Sequence, residues 1–96
     1  MLIIAGYLEV DTDRRDDYVA AHRDLLRRGR EAPGCLDLAI SADPLNPKRV
    51  NNFERWESRE HLDAWRDAAA APDTGIAING GDIMEYSVAD ARPPFG

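Results

Sequence analysis

At 96 residues with 44% hydrophobic side chains, the chain has the size and apolar content of one compact domain, and residues 1–96 are read as a single unit. Its 18 acidic against 12 basic residues leave a net charge of −6, which opposes binding to a polyanion and argues against nucleic acid as a partner. No apolar run approaches the ~20 residues of a membrane span. The opening "MLIIAGYLEV" also lacks the positively charged start of a signal peptide, so a cytoplasmic protein without a membrane partner is expected.

Residues 2 to 10 alternate as a strand, with Leu2, Ile4, Gly6, Leu8 and Val10 on one face and Ile3, Ala5, Tyr7 and Glu9 on the other. "DTD" at 11 to 13 offers N-caps, and Asp16 and Asp17 put negative charge where a helix dipole favours it. The spacing of Tyr18, Ala21, His22, Leu25, Leu26 and Gly29 predicts one amphipathic helix to about Ala32, stopped by Pro33 and Gly34. "CLDLAIS" follows as a half-buried strand. It begins at Cys35, the sole cysteine, which permits no intrachain disulfide or cysteine metal cluster and reads as a small buried residue.

"DPLNPKR" reads as a hairpin loop, and "RVNNFERW" as the next strand. Period two places Val50, Asn52, Glu54 and Trp56 on one face and Asn51, Phe53 and Arg55 on the other. Both faces are mixed, which suits a strand lining a partly polar cavity. Ser58 caps a helix carrying Leu62, Trp65 and Ala69 that ends near Pro72. A connection over 73 to 81 leads to a last strand, "IMEYSVA", and "RPPFG" leaves as an extended tail.

The order strand, helix, strand, strand, helix, strand defines an α+β class: a ferredoxin-like βαββαβ antiparallel sheet with both helices on one face. Two helices cover one face only. The other face is apolar as well, so a homodimer with sheets packed face to face is expected. An RNA-recognition module shares this order, but it needs exposed aromatics on central strands and a basic surface, and this acidic chain lacks them.

The junction "FERWESREHLDAW", with its Glu-x-Trp at the end of the third strand, resembles the signature of the antibiotic biosynthesis monooxygenase family. "EAPGCLDLAIS" is similar to that family's helix end and second strand, and the resemblance runs from residue 1 to about 90. It implies a dimeric α+β barrel with a cavity between sheet and helices in each subunit. Quinone-forming members resemble this chain at an Asn four positions before the strand-end Trp, here Asn52 and Trp56, and His22 is the nearest candidate for a further polar group. Haem-degrading members pair the Trp with an Asn on the first strand and a His on the second helix. Here the first strand has no Asn, and Trp65 stands in the region of that His.

The resemblance therefore implies oxidation of a small, electron-rich aromatic of hydroquinone, phenol or anthrone type to a quinone by dioxygen, with no cofactor. On this reading Asn52, Trp56 and His22 are the catalytic candidates, and Tyr7, Trp65, Tyr86 and His61 the substrate-binding candidates. Asn52 would hydrogen-bond a substrate oxygen, and Trp56 would stack on the ring and donate its indole N–H. Proton transfer would fall to the substrate's own acidity, His22 or His61. Each residue also has a structural reading: Asn52 satisfying a backbone group, Trp56 as core, His22 as a bonded core histidine, His61 as a solvated first-turn residue, and Glu54 paired with an arginine. The two histidines sit on separate helices without ligand spacing, so no metal is expected. The alternative function is a dimeric small-molecule-binding or regulatory protein without catalysis.

Overall fold

The computed structural model describes residues 1–95. Strand β1 (Leu2–Glu9) is followed by a 3-10 turn (Thr12–Arg14), helices α1 (Arg15–Ala21) and α2 (Arg23–Glu31), and strands β2 (Cys35–Ala42) and β3 (Arg49–Trp56). Helix α3 (Arg59–Ala68) and strand β4 (Gly80–Ser87) complete the order. The four strands lie β2-β3-β1-β4, all neighbours antiparallel, which is the ferredoxin-like arrangement expected.

The expected first helix is divided at His22 (φ −94°, ψ 4°). In an unbroken α-helix the His22 N–H would bond the Tyr18 carbonyl. Here the imidazole Nδ1 takes that carbonyl at 2.7 Å, and the backbone N–H turns to Val19 O at 3.1 Å. A side chain competing for an i−4 carbonyl bends a helix in this way. The "DTD" caps do not form: neither the 3-10 turn nor α1 has a side-chain cap, and the Asp11 carboxylate instead accepts from Asn79 Nδ2. Gly34 ends the segment at φ +78°, packed so closely on His61 that a Cβ would lie 2.2 Å from its Cγ. Ser58 caps α3 as expected, accepting the His61 N–H. Strand β4 starts before the expected Ile83, because Gly80 and Gly81 already pair with Glu9 and Leu8.

The registers assign each residue to a face. Toward the helices, successive cross-strand rows read Val50, Leu8, Gly81; then Ile40, Asn52, Gly6, Ile83; then Leu38, Glu54, Ile4, Glu85; then Cys35, Trp56, Leu2, Ser87. The outer face reads Ser41, Asn51, Tyr7, Asp82; then Ala39, Phe53, Ala5, Met84; then Asp37, Arg55, Ile3, Tyr86. An irregularity between Cys35 and Asp37 brings Leu38 into register.

The inner core falls into two clusters. Leu2, Ile4, Trp56 and Leu62 close one end of the sheet, with Trp65, Ala32 and Cys35 against them. Val10, Tyr18 and Val50 close the other, with Leu8, Val19, Ile40 and Ile76 around them. In the row between, Ile40 packs against the second cluster, while Asn52 and Gly6, register partners, bring a polar side chain and no side chain.

Candidate functional site

That interrupted row is where a polar site can form. Asn52 is half-buried, and its Nδ2 donates to the Val50 carbonyl at 3.1 Å, which leaves Oδ1 as an acceptor facing the helices. Gly6 adds no side chain beside it. At φ +153° a Cβ on Gly6 would stand 1.9 Å from the Asp82 backbone oxygen, so no other residue fits where β4 approaches β1.

The helices fix what lies above this row. Tyr18 packs with Val50 and Val10, and Gly29 packs on Leu38 and Trp65, so His22 and Leu25 span the interval between those rows. His22 is buried, with its ring tilted against Tyr18 at 4.4 Å between centroids. A carbonyl only accepts, so the Nδ1 bonded to Tyr18 O carries a proton and Nε2 of the neutral ring holds the lone pair. Every fully buried side-chain nitrogen and oxygen among the described residues has a hydrogen-bond partner, and Nε2 has none, so Nε2 is open to solvent or a ligand. Burial pushes the Tyr18 phenol above its usual value, so it stays protonated beside this imidazole.

Trp56 shares the inner face with Asn52 but has no exposed surface. Its ring stacks on Trp65, 6.2 Å between centroids, and its indole N–H donates to Glu54 Oε1 at 3.0 Å. The indole is thus core, with its donor engaged inside the protein and not presented to a ligand as the family resemblance implies. Glu54 likewise departs from expectation: it meets Trp56, not an arginine. A signal for this pairing is present in the sequence, since a buried indole needs an acceptor and the same-face residue two positions earlier is a glutamate.

Tyr7 and Tyr86 lie on the opposite face of the sheet and cannot join Asn52 and Trp56 in one cavity. The Arg49 guanidinium sits 4.1 Å from the Tyr7 ring centroid, and Tyr86 is exposed beside Ile3. His61 and Trp65 come together elsewhere again. With Ala32, Pro33, Ala64 and Ala68 they line a small apolar recess of about 130 Å³ between the end of α2 and the outer side of α3. His61 is half-buried there, with its Nδ1 2.7 Å from Ser58 Oγ, and is not a freely solvated first-turn residue. A broader concavity of about 740 Å³ on the outer side of α2 is an open groove lined by Arg23, Arg27 and Arg30. It contains none of the candidate residues, and its open walls would not dehydrate a substrate.

Burial, reinforced by the negative charges of Asp37 and Glu54, pushes the Cys35 thiol up, away from a reactive thiolate. Among the described residues no group of three or more histidine, cysteine or acidic side chains could hold a metal ion, and no helix is long and apolar enough to cross a membrane.

An antiparallel sheet in the order β2-β3-β1-β4, with helices on one face, places the chain among ferredoxin-like α+β proteins. Residues 1–74 match the family described as "Antibiotic biosynthesis monooxygenase", and the chain belongs to it. The match ends before β4, short of the span to about residue 90 expected from the sequence.

Solved structures agree on the fold. A Nitrosomonas europaea protein assigned to the antibiotic biosynthesis monooxygenases is 21% identical, with a TM-score of 0.71 over 94% of this chain and 100% of its own. A Deinococcus radiodurans protein with the same assignment is 21% identical, TM-score 0.69, covering 100% of both chains. A haem-degrading protein of Mycobacterium tuberculosis, solved with two haems in its active site, is 17% identical, TM-score 0.69, over 97% of this chain and 100% of its own. An uncharacterised Synechocystis protein is 26% identical over 62 residues, 65% of this chain and 42% of the relative, so the matched segment spans less than half of that protein.

Proposed function

We propose that the protein is a cofactor-independent monooxygenase that oxidises a small, electron-rich aromatic of hydroquinone, phenol or anthrone type to a quinone with dioxygen. The observation that most supports this reading is a half-buried Asn52 on the helix-facing side of the sheet, beside Gly6, in a fold whose helix segment carries a buried histidine with Nδ1 bonded to the backbone. A half-polar space between sheet and helices, opened when a ligand enters, would suit a planar aromatic carrying one or two hydroxyl groups. Asn52 Oδ1 accepts from a substrate hydroxyl and sets the ring's orientation. His22 Nε2 takes the ionising proton, leaving an anion rich enough in electrons to reduce dioxygen directly.

For an anthrone-type substrate the balance is one methylene carbon and one dioxygen in, one carbonyl and one water out. The carbanionic carbon gives one electron to dioxygen, the radical pair combines to form the C–O bond, and His22 returns its proton to make a hydroperoxide. Loss of the remaining C–H proton with O–O cleavage forms the carbonyl and releases water. Trp56 acts here by holding the floor of the site and the Glu54 side chain.

We further infer that two copies pack outer face to outer face. Ile3, Ala5, Phe53 and Ala39 form an apolar strip there, extended by the exposed Met84 and Tyr86, and the helices cannot cover it. Oxygen uptake measured with substituted hydroquinones and anthrones tests the function. The expected result is one dioxygen consumed per quinone formed, abolished without air. Equal substrate loss with and without air, with only fluorescence quenching responding to the protein, would identify a binding protein.

A further inference from the structure

We propose that Glu54, resting on the oxygenase reading above, is a second proton-handling group of the site: the carboxylate that removes the C–H proton as the O–O bond of the hydroperoxide breaks. The reaction moves protons at two different atoms, and His22 is restored once it has protonated the peroxide. Glu54 lies on the same inner face as Asn52, two positions along β3 and so about 7 Å away.

It is half-buried, and one of its oxygens is tied down. Oε1 accepts the Trp56 indole N–H at 3.0 Å, and an indole only donates, so the carboxyl is held in one orientation by a fully buried ring. Oε2 has no hydrogen-bond partner, and because fully buried side-chain oxygens among the described residues all have one, Oε2 keeps some accessible surface.

The neighbouring cations are committed elsewhere. Arg30 donates to the Leu38 carbonyl at 2.7 Å, Arg28 to the Ala69 carbonyl at 2.8 Å, and Arg59 pairs with Glu85. Among the described residues no ion pair involves Glu54, whereas Glu85 in the same inner-face row is paired with Arg59. Its register partners Ile4 and Leu38 are both buried.

In the step itself, Oε2 takes the proton from the carbon bearing the hydroperoxide. The C–H electron pair becomes the new C=O π bond, the O–O bond breaks, and hydroxide leaves. Hydroxide then takes the proton from the carboxylic acid, so water departs and Glu54 is again a carboxylate.

Glu54→Gln is the test, because a glutamine oxygen still accepts from Trp56 while the base is lost. In a single turnover the variant should consume dioxygen at close to the wild-type rate, yet form quinone at least about 100-fold more slowly. A hydroperoxide, trapped by its oxidation of triphenylphosphine, should accumulate in proportion. Glu54→Asp should retain more quinone formation than Glu54→Gln. Wild-type oxygen uptake with undiminished quinone formation in a folded Glu54→Gln protein overturns the role of Glu54 alone. A wild-type protein that takes up no oxygen with these substrates overturns the oxygenase reading, and Glu54's role with it.

Discussion

Gly34 offers a sharp test of the packing around the α2–α3 recess. It has φ +78°, and a Cβ there would lie 2.2 Å from His61 Cγ and 2.5 Å from His61 Cβ. Gly34→Ala therefore carries two separate costs: left-handed backbone strain of about 1–2 kcal/mol, and overpacking against His61 of about 1–3 kcal/mol. Together they predict a loss of about 2–5 kcal/mol, or at ~4–8 °C per kcal/mol a melting temperature lower by well over ten degrees in most of that range. Denaturant titration of the wild type, Gly34→Ala, His61→Ala and the double variant separates the parts. Removing the imidazole takes away the Cγ clash but keeps His61 Cβ, so it should return part of the overpacking share, giving a coupling energy of about 1 kcal/mol or more. Strict additivity of the two substitutions would refute the contact.

Trp56→Phe keeps most of the buried ring but removes the indole donor that holds the Glu54 carboxylate; a loss of about 1–3 kcal/mol is expected by urea unfolding, and an unchanged midpoint would mean that the bond adds nothing. Sedimentation should give about twice the 10.7 kDa chain mass, and Met84→Asp with Tyr86→Asp on the outer face should reduce it to that of one chain; a wild-type monomer at micromolar concentration would sink the outer-face argument. Several carboxyls are held below their ordinary range, Asp43 chiefly by the Asn51 amide and backbone N–H groups, Asp24 by Arg28 and Arg27, and Glu85 by Arg59. A depressed folded value stabilises above the unfolded value near ~4 and is lost as pH falls through the folded one, so stability should drop below that pH and Asp43→Asn should flatten the drop; an identical acid limb in that variant would contradict it.

The strand order and the faces of β1 and β3 are readable from sequence because alternation is strict there: Leu2, Ile4 and Trp56 fall inward by parity alone. The bend at His22 is not, since Tyr18, Leu25 and Gly29 keep helical spacing on both sides of it. The bend depends on an imidazole reaching a carbonyl, and no periodicity records that. Tyr7 is a binding candidate on sequence although its own parity matches Ile3 and Ala5. The registers of both neighbouring strands are needed to show that Tyr7 sits opposite Asn51 and Asp82. Alternation puts Trp56 on the correct face but says nothing of its depth, because its burial depends on Leu62 and Trp65 of α3 closing over it, a tertiary event.

The same residues explain how a small chain carries a polar stretch on its inner face and an apolar strip on its outside. The backbone fixes part of this: Gly6 admits no side chain where β4 approaches, so no substitution at that position is possible without moving β4. A domain of this size already buries a smaller share of its surface than larger proteins do, and a polar asparagine and a glycine on the inner face add little to it. Apolar area recovered on the outer face can offset the loss, and an interface of the usual ~1,600 Å² in total would engage the row Ala39, Phe53, Ala5 and Met84 on both copies. Strand β4 belongs to both requirements. Its backbone at Asp82 forces the glycine that opens the inner face, and its Met84 and Tyr86 extend the outer strip. The proposed site and the proposed association surface are therefore two faces of one strand pair, and a change that displaces β4 from β1 should disturb both together.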